Sequence, residues 1–253
     1  MRILVFTSKW IGLQLIDFLF SEFNDDEYIF IVSNPDSTKI IEAIKKNGHK
    51  YMNLNDSTIK WINEQDEKSF DWLLNLWGGY IFTKDIILKS KRSLNVHPSY
   101  LPFGRGSDPV VWAIRYTHPA GVTLHEISEH IDDGPILYQE VINYDFPISG
   151  GQLYNLVINK CIEVFSQQWP IIRECQTIGK LQHDGNEYKT MKRKDLINDN
   201  LLNLDKDEAS KELLLKILAH DFGDDYSIKL IYSNKQYSLR LFIEPIVFEG
   251  DYE

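Results

Sequence analysis

Short apolar runs alternate with helix-like segments in the first third of the chain. RILVF (residues 2–6), YIFIVS (28–33) and DWLLNLW (71–77) are continuous apolar runs of strand length, as expected for strands buried on both faces. IGLQLIDFLFSEF (11–23) and STKIIEAIKKNG (37–48) have helical spacing. Strand–helix–strand repeats predict right-handed crossovers and an α/β, Rossmann-like fold, a mostly parallel sheet with helices on both faces.

The pattern changes in the middle of the chain. SLNVH (93–97) predicts one more buried strand, while GVTLHEIS (121–128) and GPILYQEVINY (134–144) predict strands along one edge of the sheet. Residues 150–175 have the spacing of a long amphipathic helix, which we expect to be broken or kinked at Pro170.

The last seventy or so residues differ in character from the rest. LQHDGNEYKTMKRKDL is polar and predicts a loop, and a helix is predicted over residues 205–220. YSIKLIY and QYSLRLFIE alternate around Ser233-Asn234-Lys235, which predicts a β-hairpin. We therefore predict a domain over residues 1–180 and a small C-terminal helix-and-hairpin subdomain over residues 181–253.

The composition is that of a globular protein with a sizeable core. The 253 residues are 43% hydrophobic and 25% charged, with a formal net charge of −10. An acidic chain argues against a large phosphate-binding surface, so we expect no nucleic-acid partner, whereas a small charged metabolite is compatible. No apolar run approaches the length of a membrane span or a signal peptide, so we expect no membrane partner.

Cysteine use points to a reducing compartment. The two cysteines, Cys161 and Cys175, lack the spacing of paired metal ligands. This pattern disfavours a disulfide framework and a structural zinc site, and it favours small thiols packed in the core. We therefore expect a cytoplasmic protein without a metal site.

Three polar residues are candidates for chemistry. Asn95 and His97 are two apart in a strand, so their side chains point to the same side at the carboxyl end, where open α/β sheets place ligands. Asp132 lies in the turn IDDG. Each has an ordinary structural alternative: a satisfied histidine, an asparagine that bonds a turn, and an acidic turn before a strand.

The combination of these motifs resembles a known family. NVHPSYLPFGRG, then GVTLH, then IDDGPIL, with Asp132 37 residues after Asn95, is similar to the signature of the formyltransferases that use 10-formyltetrahydrofolate. The resemblance is strong from about residue 76 to residue 142 and looser over the rest of the first 180 residues. It implies that Asn95, His97 and Asp132 are the catalytic residues and that 10-formyltetrahydrofolate is the co-substrate.

Formyl transfer explains why these residue types are needed. An amine attacks the formyl carbon, and a developing oxyanion forms that Asn95 and His97 can stabilise by donating N–H groups, typically worth ~3 kcal/mol each. A proton must also leave the amine, which suits an imidazole. Asp132 would orient the imidazole, favour its charged form or accept the proton through a water. The sequence leaves open whether His97 acts as donor or as base.

The resemblance also assigns a place to the pterin ring of the folate. It implies that the ring binds against the loop in LLNLWGGYIFTKD, mostly through backbone groups. The predicted cofactor-binding residues are Gly79, Tyr80, Ile81 and Phe82. The alternative for each side chain is a buried strand end with a Gly-Gly turn.

The acceptor amine is harder to assign. We expect Ser8, Lys9, Trp10 and Arg105 to bind the substrate that carries this amine, and Arg105 to reach a phosphate of that substrate. The alternative for Arg105 is a solvated loop arginine. The branch acting on glycinamide ribonucleotide has a Gly/Ser-rich phosphate loop where this chain reads TSKWIGLQL, with the single Gly12. The branch acting on methionyl-tRNA has a longer, basic C-terminal domain.

HPSYLP, WAI and the compact C-terminal piece are similar to the nucleotide-sugar branch instead. Its common substrates are dTDP-linked amino dideoxy sugars, such as dTDP-4-amino-4,6-dideoxyglucose, destined for lipopolysaccharide O-antigen or similar glycans. A formyltetrahydrofolate hydrolase and a non-catalytic folate- or nucleotide-binding protein remain alternatives.

The C-terminal hairpin predicts a homodimer. Its first face is expected to be covered in part by the helix over residues 205–220. The second face offers the apolar side chains of Tyr226, Ile231 and Phe242. The N-terminal domain is one candidate to cover that face, and a second copy packed through a two-fold axis is the other.

Overall fold

A computed structural model describes residues 1–34, 37–174, 177–182, 188–202, 209–223, 226–232 and 235–244. The strands of the main sheet are β1 (Arg2–Thr7), β2 (Glu27–Val32), β3 (Lys50–Asn53), β4 (Phe70–Leu76), β5 (Ser90–His97), β6 (Ala120–His125) and β7 (Ile136–Ile142). The helices around it are α1 (Lys9–Glu22), α2 (Thr38–Lys46), α3 (Asp56–Asn63), α4 (Lys84–Ile87), α5 (Pro109–Arg115) and α6 (Gly150–Glu174). The C-terminal elements are α7 (Arg193–Asp199), β8 (Leu201–Leu202), α8 (Ser210–Ala219), β9 (Ile228–Tyr232) and β10 (Lys235–Leu239).

The main sheet has the strand order β3-β2-β1-β4-β5-β6-β7. The first five of these strands pair in parallel, and β6 and β7 are added antiparallel at one edge. This confirms the predicted Rossmann-like α/β fold with its two edge strands. The order reverses between β1 and β4, and ligands of open α/β sheets bind at the carboxyl ends of strands beside such a reversal.

Both faces of the sheet are covered, which explains the uninterrupted apolar runs. Along β1, Ile3 and Val5 belong to one buried cluster, and Leu4 and Phe6 belong to the other. Helices α1, α2, α5 and α6 supply the first cluster, and α3 and α4 supply the second. The alternation of side chains along a strand therefore serves two cores at once.

Helix α6 runs without a break from Gly150 to Glu174. The break expected at Pro170 is not present, because the helix continues for four residues beyond it, and the expected kink stays a prediction. Cys161 is buried in this helix, as predicted for a packed thiol, while Cys175 lies outside the described residues. Within the described ranges, no helix has both the length and the hydropathy needed to cross a membrane.

The polar stretch before the predicted C-terminal helix contains a helix that the sequence pattern did not predict. Helix α7 begins at Arg193, within the segment expected to be a loop, and β8 follows it. The predicted helix over residues 205–220 corresponds to α8, which begins at Ser210; residues 203–208 lie outside the described residues. Of the predicted second hairpin strand, residues 235–239 form β10 and 240–244 do not continue it.

The C-terminal elements pack against the first domain. Arg115 of α5 donates from Nε and Nη2 to the two carboxylate oxygens of Asp199, at 2.9 and 3.1 Å. His220 lies 2.9 Å from the same carboxylate and is fully buried. Burial acts against ionisation of Asp199, but His220 and Arg115 lower its pKa to about 2. Leu218 and Ala219 belong to the same buried core as the helices of the first domain. The domain boundary at residue 180 stays a prediction.

One face of the hairpin is covered in part, and the other face is open. Ile228 is fully buried, and strands β9 and β10 pair antiparallel with Ile228 opposite Leu239. Tyr226 was expected on the second, open face; it instead packs against Phe222 and the main core. Tyr226 precedes β9 and therefore does not follow the strand alternation on which that expectation depended.

Candidate active site

Three polar side chains form a row across the centre of the main sheet. Asn75 of β4 lies opposite Asn95 of β5, and Asn95 lies opposite His125 of β6. The Nδ2 atom of Asn75 is 2.8 Å from Oδ1 of Asn95, and Nδ2 of Asn95 is 2.9 Å from Nε2 of His125. Asn95 and His125 are only 7% and 2% exposed. Strand register therefore brings together residues far apart in sequence.

His97 lies two residues after Asn95 on β5 and is 5% exposed. Its Nε2 is 3.0 Å from the carbonyl oxygen of Gly104. A carbonyl only accepts, so Nε2 carries the proton, and in the neutral ring Nδ1 has the free lone pair. That Nδ1 is 3.5 Å from Oδ2 of Asp132. Burial lowers the pKa of His97, although the Asp132 carboxylate opposes the shift.

Asp132 is held in place by its backbone and by three neighbours. Its φ is +53°, in the left-handed region that non-glycine residues seldom adopt. Oδ2 accepts the N–H of Gly106 at 2.9 Å, and Oδ1 is 3.6 Å from Nε2 of His125. Burial acts to raise the pKa of Asp132, but His97, His125 and the Gly106 N–H together hold it well below its usual range. The group is therefore a carboxylate throughout the neutral range.

Gly106 is required by its surroundings. Its φ is +90°, and a Cβ at this position would collide with the carbonyl oxygen of Met191. The backbone of residue 106 can therefore approach both Met191 and the carboxylate of Asp132 only because it has no side chain. The loop LPFGRG therefore approaches the site closely at this glycine.

A cleft of about 570 Å³ opens above these residues. Asn95, His97 and Asp132 form part of its lining, so the structure brings together all three predicted catalytic residues. Its other polar and aromatic lining residues include Ser8, Lys9, Trp77, Ser107, Asp108, Tyr154, Arg193 and Phe222.

The four predicted cofactor-binding residues lie at one side of this cleft. Gly79 lines the cleft itself, and Tyr80, Ile81 and Phe82 line an adjoining recess of about 70 Å³ that also contains Asn95 and Asp132. Phe82 is 6% exposed and packs edge-on against Phe6, whereas Ile81 is 68% exposed. Contact of these residues with a folate remains a prediction.

The four predicted substrate-binding residues are not equally placed. Ser8 and Lys9 line the cleft, although the Ser8 hydroxyl is already donated to the carbonyl oxygen of Trp77. Trp10 is 58% exposed and is not part of the cleft lining. Arg105 points elsewhere: its Nε and Nη2 lie 3.1 and 2.7 Å from Oε1 of Gln182.

Gln182 also supports the turn that contains Asp132. Its Nε2 donates to the carbonyl oxygens of Asp132 and Gly134, both at 2.9 Å. In this geometry Arg105 bonds the side chain of Gln182, which supports the loop that contains Asp132. The phosphate contact predicted for Arg105 stays a prediction.

Sequence reasoning missed four residues of the site. Asn75 was a polar residue inside the apolar run of β4, and His125 was part of GVTLH, yet neither was singled out. Tyr154 and Arg193 line the cleft from α6 and α7. The signal for Asn75 was its polarity within a buried strand; no local signal existed for Arg193.

The side chains of His97, His125 and Asp132 offer ligand atoms within 4.8 Å of one another, a spacing that a metal ion could bridge. In the hydrogen-bonded arrangement, Nε2 of His125 is already used by the amide of Asn95. The predicted absence of a metal stays a prediction, and activity after chelation is its test.

Comparisons with known proteins address the family directly. The chain is 32% identical over 88 residues to a dTDP-4-amino-4,6-dideoxyglucose formyltransferase of Mycobacterium tuberculosis. That match covers 35% of this chain and 38% of the relative.

Two solved structures share the fold. A 4-N formyltransferase from Francisella tularensis superposes with a TM-score of 0.82 at 21% identity, covering 97% of this chain and 98% of that one. An N-formyltransferase from Helicobacter canadensis, in complex with folinic acid and dTDP-3-aminofucose, has a TM-score of 0.69 at 21% identity, with 87% and 80% covered.

A family model described as formyl transferase matches residues 1–167, about two thirds of the 253 residues. The matched region contains β1 through β7 and all three predicted catalytic residues. The chain belongs to the formyl transferase family.

Proposed function

We propose that this protein is an N-formyltransferase that moves a formyl group from 10-formyltetrahydrofolate to the amine of a nucleotide-linked amino sugar. The observation that carries the proposal is the meeting of Asn95, His97 and Asp132 at the floor of one cleft, in a chain of the formyl transferase family. The cleft is large enough for a drug-sized ligand.

The geometry suggests how the three residues divide the work. Attack of the amine nitrogen on the formyl carbon forms a C–N bond and places negative charge on the formyl oxygen. Asn95 has one N–H bonded to His125 and a second in a long, 3.4 Å contact with Asp132. The second N–H, which has no short hydrogen bond, is the one left to donate to the oxyanion.

His97 is arranged to accept the proton. Its Nδ1 lone pair faces the carboxylate of Asp132 at 3.5 Å, so two acceptors lie opposite each other in the resting site. Transfer of the amine proton to Nδ1 turns this contact into an ion pair between imidazolium and carboxylate. The C–N bond to the folate then breaks, and the folate nitrogen takes up the proton that His97 returns.

The recess beside Asn95 is the proposed binding site of the folate. Gly79, Tyr80, Ile81 and Phe82 lie there, and the Helicobacter canadensis protein of the same fold is described in complex with folinic acid. The recess combines apolar side chains such as Ile81 and Phe82 with polar ones such as Asn75 and Asn95, a mixture that suits a flat pterin ring with polar edges.

The rim of the cleft is the proposed binding site of the nucleotide sugar. Lys9 and Arg193 are cations on the cleft lining and suit a diphosphate, while Tyr154 and Phe222 offer an aromatic wall. We favour dTDP-4-amino-4,6-dideoxyglucose, because the Mycobacterium tuberculosis relative is described as acting on it. A role in lipopolysaccharide O-antigen or a related glycan, and a cytoplasmic location, follow only as extensions of this proposal.

The direct test is incubation of the protein with 10-formyltetrahydrofolate and a panel of dTDP-, UDP- and GDP-linked 3- and 4-amino sugars. We expect one sugar to gain the mass of one formyl group, and full activity after treatment with a chelator. Loss of donor without any amine would indicate a hydrolase. If methionyl-tRNA or glycinamide ribonucleotide is the only amine that is formylated, that amine, and not a nucleotide sugar, is the acceptor. Binding of the ligands without turnover would contradict the assignment as an enzyme.

We also propose that the protein is a homodimer that packs through its C-terminal hairpin. Ile231 of β9 and Phe242, which follows the end of β10, are 59% and 84% exposed, and exposed large apolar side chains of this kind suit an interface. Light scattering at micromolar concentration should give twice the chain mass, and Ile231→Lys with Phe242→Lys should reduce it to one chain. A monomeric mass for the unaltered protein would contradict the proposal.

A further inference from the structure

The amide of Asn95 is a two-sided group whose orientation decides whether the site can work. One side, Nδ2, can donate to an oxyanion, and the other side, Oδ1, would repel it. The two orientations have nearly the same shape, so packing alone does not choose between them. Something in the site must select the donor side.

The selection can be traced from a backbone N–H. The N–H of Gly78 donates to Oδ1 of Asn75 at 2.8 Å, and because a backbone N–H only donates, that atom is the oxygen. Nδ2 of Asn75 therefore faces Asn95 and donates to it at 2.8 Å. The atom of Asn95 that receives this bond is Oδ1, which leaves Nδ2 for the other side.

The same conclusion is reached from the opposite end. Nδ1 of His125 is 2.8 Å from the carbonyl oxygen of Glu126, which only accepts, so Nδ1 carries the proton. In the neutral ring Nε2 is then an acceptor, and it receives an N–H from Asn95 at 2.9 Å. Gly134 packs so closely on the Glu126 carbonyl that a Cβ there would collide with it, which holds the carbonyl in place.

We propose that Asn75 and His125 are positioning residues that fix the amide of Asn95 with its donor side toward the reacting oxygen. The relay runs in one direction, from the N–H of Gly78 through Asn75, Asn95 and His125 to the carbonyl of Glu126. Every bond has a defined donor. The inference rests on the proposed formyl transfer, since it assigns an oxyanion to Asn95.

The relay also limits competition from Asp132. Oδ1 of Asp132 lies 3.4 Å from Nδ2 of Asn95, too long for a strong bond. Because His125 accepts the first N–H at 2.9 Å, the second N–H has only this long contact to give up when an oxyanion forms. Without His125, the amide would be free to turn toward the carboxylate.

Asn75→Asp is the sharpest variant, because it keeps the size of the side chain and the acceptor for Gly78 but loses the donor to Asn95. We expect kcat for formyl transfer to fall about 10²-fold, the scale of losing one oxyanion donor, with little change in KM for the amino sugar. Asn47→Asp, which makes the same change on an exposed asparagine at the end of α2, is the matched control and should keep wild-type kcat.

A double-mutant cycle separates positioning from other effects. If Asn75 acts through Asn95, then Asn75→Asp should cost nothing further in an Asn95→Ala background. A new charge that disturbed His97, or a damaged fold, would lower kcat by the same factor in both backgrounds. Equal losses in the two backgrounds would therefore overturn the inference.

His125 supplies an independent arm. His125→Gln retains a side-chain oxygen as acceptor and should recover much of the activity that His125→Leu loses, with both variants melting at similar temperatures. If Leu and Gln give equal activity, or if Leu is as active as wild type, the proposal is wrong. Should the Leu variant not fold, the Asn75 cycle decides. An inactive wild-type protein would instead refute the proposed function.

Discussion

The floor and the rim of the cleft are built differently. On the floor, Asn95 and His97 are 7% and 5% exposed, and Oδ1 and Nδ2 of Asn95 and Nε2 of His97 have hydrogen-bond partners in the sheet or in the loop above it. On the rim, the side chain of Arg193 is 63% exposed. Arg193 pairs with Asp108 at 2.9 Å, in an exposed contact.

This difference in burial separates two functions, stabilisation of the transition state and binding of the substrate. Fixed, buried donors are what stabilise charge in a transition state without reorganising, so changes on the floor should act on kcat. Exposed, rotatable cations contribute modestly to binding and can differ without disturbing the fold, so changes on the rim should act on KM. The comparison predicts graded effects, which can be measured.

The largest effect is expected on the floor. Asp132→Asn keeps the shape of the side chain but removes the negative charge that stabilises protonated His97, and we expect kcat to fall ~10³-fold, within the range for acid–base groups. Asp133→Asn is the matched control, because this adjacent carboxylate accepts from Ser128 and is not part of the cleft lining. Similar losses of kcat in Asp132→Asn and Asp133→Asn would contradict the specific role assigned to Asp132.

On the rim, a smaller effect on a different parameter is expected. Arg193→Ala should raise KM for the nucleotide sugar about tenfold, equivalent to ~1.4 kcal/mol, and leave kcat nearly unchanged. Lys194→Ala removes the same charge from the next residue, which is exposed and does not line the cleft, and should change neither parameter. A fall in kcat for Arg193→Ala at saturating sugar would contradict the assignment of Arg193 to substrate binding alone.

The smallest effect concerns pH. Burial lowers the pKa of His97 below its ordinary value of 6.5, so the ring is neutral, and able to accept a proton, down to below that pH. After correction for ionisation of the free amine, kcat/KM should lose less than about half its value between pH 7.5 and 6.5 and fall more steeply below. An apparent pKa above 6.5 that disappears in His97→Ala would contradict this assignment.

The sequence could predict those site residues that are related by a short separation along the chain. Asn95 and His97 were found because they are two apart in one strand, a local relation. Asn75 and His125 meet Asn95 only through strand register, which depends on which strands are neighbours and in which direction they run. A pattern along the chain does not contain that information.

Arg193 and Arg105 show the same limit of prediction from the sequence. Helix α7 carries Arg193 to the cleft, but its sequence RKDLIND has only two strongly apolar residues and no clear apolar stripe. The helix was therefore expected to be a loop. Arg105 was singled out as a cation in a glycine-rich loop, yet its partner Gln182 lies 77 residues away in sequence.

The most direct measurement of the central claim is the mass of dTDP-4-amino-4,6-dideoxyglucose after incubation with 10-formyltetrahydrofolate and either wild-type protein or folded His97→Ala. The account predicts a gain of one formyl group with the wild type and only background conversion with the variant. Complete formylation by a His97→Ala protein that melts like the wild type would contradict it.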